Sequence, residues 1–87
     1  MGVSVPKKLY VSVKARIDQD GFAVPLSVIW RDEREFPVER VLNVIPTLTA
    51  AGEEALGYTC MIRGQRRTVY LEQGRWYVIV QGKPFRQ

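Results

Sequence analysis

Val24 to Pro46, VPLSVIWRDEREFPVERVLNVIP, is the segment whose reading decides the fold. In its first half Val24, Leu26, Val28 and Trp30 recur at every second position, with Pro25, Ser27 and Ile29 between them. That is the period of a half-buried strand rather than of a helix. Arg31 to Glu35 are polar throughout and read as a charged turn. Phe36 and Val38 resume the alternation, but Val41, Leu42, Val44 and Ile45 cannot all share a face with Phe36 at period two. The slip predicts a bulge or corner near Glu39 and Arg40, where a strand bends to wrap a small barrel.

Outward from this unit, the pattern continues to be that of strands. Leu9, Val11, Val13, Ala15 and Ile17 alternate with Tyr10, Ser12, Lys14 and Arg16, which predicts a first strand over 9–17. Asp18-Gln19-Asp20-Gly21 has turn chemistry, so the next strand, starting at Phe22 or Val24, returns antiparallel. Pro25 cannot donate to a ladder and belongs at a strand start or on an edge. Thr47 to Leu56, TLTAAGEEAL, shows no clear period and reads as a loop with at most one helical turn, Gly52 opposing anything longer. Further strands are expected over 57–63, 66–72 and 75–81, joined by tight turns at Gly64-Gln65 and Gln73-Gly74. The last of them is apolar on both faces, with Trp76, Val78 and Val80 alternating with Tyr77 and Ile79. It belongs in the middle of a curled sheet or at a subunit contact.

The fold class this implies is all-β: a single antiparallel meander of about six short strands, curled into a small SH3-like or open barrel. Residues 1–87 form one domain, with 1–8 and 82–87 as loose ends. A chain of this length holds one modest core, so a separate active-site cavity would be costly. Apolar residues make up 46% and charged residues 25%, which sets aside the disordered and fibrous classes. No apolar run reaches the length of a membrane span, the N-terminal MGVSVPKKLY lacks the apolar core of a secretory signal, and Pro6 stands where a myristoylation signal needs Ser or Thr. With Cys60 as the one cysteine, no internal disulfide can form, and a reducing, cytoplasmic setting is expected. The net charge of +4 favours approach to acidic partners, yet charge of this size also serves solubility alone.

Catalytic and metal chemistry finds little to work with. The chain has no histidine, which removes the commonest general base and the commonest metal ligand. With one thiol, zinc sites of the Cys and His kind and Cys-His nucleophile pairs are excluded, and Cys60 alternates with Tyr58 and Ile62 as a buried, inert thiol would. Asp18 and Asp20 resemble the start of a calcium loop whose later ligands are missing, and a hairpin turn accounts for them. Glu33 with Glu35, and Glu53 with Glu54, are carboxylate pairs in charged loops without a polar pocket, and read as solvated. Gly64, Gly74 and Gly82 fall at turns or a strand end and make no phosphate cradle. No cofactor and no metal are expected.

The run Pro25 to Leu42, with Trp30, Phe36, Val38 and the Val41-Leu42 pair, and the later strand carrying Trp76, resembles small bacterial all-β domains of uncharacterised function. Such relatives commonly place a Gly in the turn between the two strands, where this chain has Asp32, Glu33 and Arg34. The resemblance is one of folding pattern, and it implies a bacterial, cytosolic origin and no activity.

Two functional classes remain. The first is a non-enzymatic interaction module that binds a protein partner or a second copy of itself through Tyr70, Tyr77 and Ile79, because a domain this small buries only one side of a sheet well. The alternative is a single-stranded nucleic-acid binder. Arg63, Arg66, Arg67 and Arg75 would hold phosphates there, and Tyr70 and Tyr77 would stack bases.

Overall fold

A computed structural model describes residues 6–49 and 51–81, and every regular element among them is a β-strand. Eight strands follow in order: β1 (Pro6–Tyr10), β2 (Ser12–Ile17), β3 (Ala23–Ile29), β4 (Glu35–Pro37), β5 (Arg40–Leu48), β6 (Glu54–Ile62), β7 (Gln65–Glu72) and β8 (Arg75–Gln81). They form a five-stranded sheet in the order β1-β8-β7-β6-β5 and a three-stranded sheet in the order β2-β3-β4. All pairings are antiparallel.

The all-β antiparallel reading therefore holds, while one sheet of about six strands becomes two sheets of eight because two of the strands bend. The first bend is at Val11, whose amide still donates to Trp76 O at 3.1 Å in the large sheet, while Ser12 already pairs with Ile29 in the small one. The second lies where the hydrophobic pattern slips. Val38 N donates to Leu26 O in the small sheet and the next amide, Glu39 N, donates to Met61 O in the large one, both at 2.8 Å. Counted through their bends, β1-β2 and β4-β5 are single strands, and the chain is a six-membered meander whose first and last members, β1 and β8, pair. The ladder breaks at both corners, so the barrel is open rather than closed.

Turn chemistry sets the registers. Arg63-Gly64 and Gln73-Gly74 both hold positive φ at two successive residues, the type I′ geometry whose twist matches that of the strands it joins. The first of these turns sits one residue earlier than the sequence pattern suggests. Asp18 caps the β2-β3 hairpin, its Oδ1 accepting from Asp20 N at 3.0 Å and Phe22 N at 2.9 Å. The segment 47–56 is not a loop: Thr47 and Leu48 end β5, Glu54 to Leu56 begin β6, and a short turn from Thr49 to Glu53 joins them, Gly52 supplying a φ of 81°. At the N-terminal side the strand already begins at Pro6, so Lys7 and Lys8 belong to β1. The loose ends expected at 1–5 and 82–87 lie outside the described residues.

The core lies between the two sheets. Val28 of the small sheet meets Tyr58, Cys60, Ile62 and Val69 of the large one, with Val11, Val13, Phe36, Val38, Val41, Leu56, Leu71, Trp76 and Val78 packed around them. A register shift beside Lys14 and Ala15 leaves Leu26 without a partner and reverses the face of everything before it. Pro25, expected to face away from Val28, is fully buried, while Leu26, expected beside Val28, is 46% exposed. Pro25 is tolerated inside β3 because the bulge and the short reach of β4 ask no ladder bond of it. β8 sits between β1 and β7, which is the mid-sheet place its two apolar faces call for.

Two residues make testable statements about this core and its turns. Tyr58 is 2% exposed, its ring lies 5.2 Å from that of Trp76, and its buried hydroxyl has no hydrogen-bond partner among the described residues. Removing an unsatisfied buried hydroxyl costs no bond, so Tyr58→Phe is expected to leave stability unchanged or raise it by up to about 1 kcal/mol in urea unfolding; a loss of that size would show the hydroxyl bonded in solution. Glu33 holds a φ of 69° in the β3-β4 turn, a conformation costing a residue with a Cβ about 1 kcal/mol. Glu33→Gly is expected to stabilise the chain by up to that amount, less the added entropy of the unfolded glycine, as read from the unfolding midpoint.

Candidate interaction surfaces

The outer face of the large sheet carries the tyrosines. Tyr10, Tyr77 and Tyr70 stand side by side across β1, β8 and β7 because Tyr10 pairs with Tyr77 and Tyr77 with Tyr70, and the row continues to Gly57 of β6 and Ile45 of β5. Tyr70 stacks on Tyr77 at 5.3 Å, and Tyr10 meets Tyr77 edge-on at 5.7 Å. Gly57 is part of the same packing: a Cβ there would stand 3.3 Å from Cε1 of Tyr70. Lys8 crosses above, its Nζ 4.8 Å from the Tyr77 ring centre and 2.9 Å from Oε1 of Glu72. The Arg75 guanidinium lies 4.0 Å over Tyr10.

This arrangement decides what the sequence-derived candidates can touch. Tyr77 is 3% exposed and already covered, Tyr70 is half-buried, and Ile79 is 41% exposed. Of the three residues expected at a protein interface, Ile79 alone is open to a partner without rearrangement. The arginines do not form one cluster. Arg66 and Arg75 share the tyrosine face, Arg67 pairs with Cys60 on the opposite side of β7, where its guanidinium bonds Gln65, and Arg63 lies at the β6-β7 turn over Phe36. Arg34 approaches the same Phe36 ring at 5.5 Å. At this end Glu39 ties the corner to the turn, its Oε2 accepting from Gly64 N at 3.1 Å.

Further apolar surface is exposed on the small sheet, at Ile17, Phe22 and Leu26, and at the β5-β6 end of the large one. The strands β5, β6 and β7 run past the end of the small sheet, and their core-facing rows emerge into solvent. Pro46, Leu48, Leu56 and Leu71 line an open groove of about 870 Å³ there, floored by Thr47 and Ala55 and bounded by Glu54, Gln73 and Gly74. Leu48 is 67% exposed, Ile45 54% and Val44 43%. The molecule is elongated: the radius of gyration is 14.1 Å and the extents are 52 × 31 × 20 Å, where a compact chain of this length has a radius of about 12 Å. This region does not stand out in the sequence, because Thr47 to Leu56 shows no clear period and has the composition of a loop. The adjacent Val44 and Ile45, apolar on both faces of one strand, were the available signal.

The free edge of β5 is guarded. Thr49 N bonds Glu53 O, so the bonded pairs of this ladder alternate through Thr47 with Ala55 and Ile45 with Gly57. Pro46 then falls at a non-bonded pair, and the donor it lacks is one that would face outward at the edge. Simple strand addition along β5 is thus interrupted near its C-terminal end, while the groove on its inner side is left open.

Chemically the described surfaces are quiet. No group of three His, Cys, Asp or Glu side chains stands close enough to hold a metal among the described residues. The Cys60 thiol is fully buried, donates to Tyr58 O at 3.7 Å, and burial pushes its pKa up. No described helix is long and apolar enough to cross a membrane. Comparison of the chain with protein-family models, curated proteins and solved structures finds no match.

The Lys8-Glu72 pair has a definite pH signature. The Glu72 carboxyl is held below its ordinary 4.5 chiefly by the hydrogen bond from Lys8, and Lys8 is raised above 10.5 chiefly by the same bond. The depressed acid stabilises the fold above its unfolded pKa and loses that contribution as pH falls through the folded value. The raised base does so below its unfolded pKa and loses it as pH rises through the folded value. The stability difference between the chain and Glu72→Gln is expected to be flat between about pH 5 and 10 and to shrink on both sides. A difference unchanged at pH 3, read by chemical unfolding, would mean that the pair contributes nothing.

Proposed function

We propose that the chain is a non-enzymatic interaction module that binds a protein partner or a second copy of itself, and that the contact is made at the open end of the sandwich. The observation that carries this is the overhang: at the open end Pro46 and Leu48 are exposed and Leu56 and Leu71 only half-buried, so the core-facing apolar rows of β5, β6 and β7 are left incompletely covered there. Exposed apolar side chains gathered on one strand and one groove mark a contact surface more often than scattered ones do. The tyrosine face, first expected to serve, retains Ile79 as an exposed extension. The cytoplasmic setting is part of the same proposal, resting on the single buried Cys60.

The nucleic-acid reading draws less support. A stacking platform needs ring faces open to bases, and here Tyr77 is covered by Lys8 and Tyr70, while Arg75 occupies the face of Tyr10. Backbone-tracking arginines would need to line one groove, and Arg63 and Arg67 point away from Arg66 and Arg75.

The test is the concentration dependence of backbone amide shifts in a heteronuclear NMR titration of the chain against itself. Changes are expected at Leu48, Leu56, Leu71 and Gly74. Changes confined to Tyr77, Ile79 and their β1 neighbours would return the contact to the tyrosine face and overturn this assignment.

A further inference from the structure

We propose that the groove at the open end receives the C-terminal segment Gly82–Gln87 of a second copy, GKPFRQ, so that copies associate head to tail. The proposal rests on the reading of the overhang as a contact surface and names its occupant. Phe85 supplies the apolar anchor for Leu48, Leu56 and Leu71, and Lys83 and Arg86 flank it with positive charge. Glu54 borders the groove and has no cationic partner among the described ion pairs. Apolar anchor against apolar groove, with opposite charges at the rim, is the pattern of a peptide seated in a cleft.

Geometry assigns the segment to another molecule. β8 begins at Arg75 beside the groove and ends at Gln81 at the far end of the sheet, roughly 20 Å away at the rise of a strand. The six residues that follow span at most about 20 Å fully extended, and Phe85 stands only about 13 Å along them. After reversing direction the chain cannot bring Phe85 back to its own groove. Electrostatics point the same way. β8 ends at Gln81 on the side where Arg40, Arg63 and Arg66 outnumber Glu39 around the β6-β7 turn, while Glu53 and Glu54 outnumber Arg75 at the opposite end. A tail carrying Lys83 and Arg86 is repelled by its own end and attracted by the other end of a neighbour.

A groove and a six-residue segment bury less than the ~1,200 Å² of a stable complex, so the association is weak and concentration-dependent. The contact is also heterologous, tail to groove, so each copy brings one tail and one groove. That property yields a discriminating experiment with full-length variants. Leu48→Asp spoils the groove and keeps the tail; Phe85→Ala spoils the tail and keeps the groove. Leu48 is exposed at a hairpin end, so its substitution leaves the core untouched.

Sedimentation velocity from micromolar to millimolar concentration is expected to show growing species for the unaltered chain. Each variant alone should associate at least about tenfold more weakly, the loss expected for one buried large apolar side chain. An equimolar mixture of the two should form a 1:1 pair and nothing larger, through the one intact groove and the one intact tail. If Leu48→Asp abolishes association and Phe85→Ala does not, the groove stands as the contact surface and the tail is not its occupant. If neither variant changes the association, both the occupant and the surface are overturned. A chain that remains monomeric throughout overturns the head-to-tail proposal.

Discussion

The contact of Val28 with Tyr58, Cys60 and Val69 across the two sheets is the interaction on which the rest of the structure depends. It is the meeting point of a three-stranded and a five-stranded layer that have no ladder in common, and without it the two bends would have nothing to hold them. Those bends are themselves backbone events. At Val38 and Glu39 two successive amides serve opposite sheets, so both stay hydrogen-bonded while the chain changes layers. A residue of the wrong phase at either corner would turn a whole face of a strand from core to solvent, and the bulge at Leu26 shows that phase being corrected within a strand.

Because the layers are unequal, the core ends before the large sheet does. β5 and β6 are nine residues each, whereas β4 has three. The uncovered apolar rows are therefore a consequence of strand length, and they line a broad apolar opening at this end. Pro46 fits this picture from the other side, since it blunts the β5 edge without filling the groove. A surface that discourages strand addition and leaves a concave apolar site open suits a partner that inserts side chains over one that extends the sheet.

On the opposite face, aromatic and charged groups satisfy one another. Tyr77 is enclosed by Tyr10, Tyr70 and the Lys8-Glu72 pair, which converts an apparently sticky face into a second small core. Burial raises the Tyr77 phenol above its ordinary value, and the neighbouring Glu72 carboxylate adds to that. Gly57 makes room for Tyr70 where a larger residue would crowd its ring. The outcome is a face whose aromatic and charged groups largely cover one another.

Local pattern was enough to read the strand over 75–81, the Asp18 turn, the slip that became the Val38-Glu39 corner, and the buried state of Cys60, because alternation, turn residues and a change of period are properties of neighbours in the chain. The same pattern placed Tyr70 and Tyr77 together on the face opposite Val69 and Trp76. What neighbours in the chain cannot specify is which strand covers which. Whether Tyr77 is exposed depends on Lys8 and Glu72, sixty-four residues apart, and whether Leu48 and Leu56 are buried depends on how far a different sheet extends over them. The face of Pro25 and Leu26 was likewise settled by a bulge against β2, a pairing between strands that period two alone does not reveal. The sequence by itself determined an all-β chain with its turns and most of its strands, since those follow from local sterics and solvation. The tertiary structure alone decided which apolar residues remain uncovered, since coverage is a property of layers brought together from distant parts of the chain.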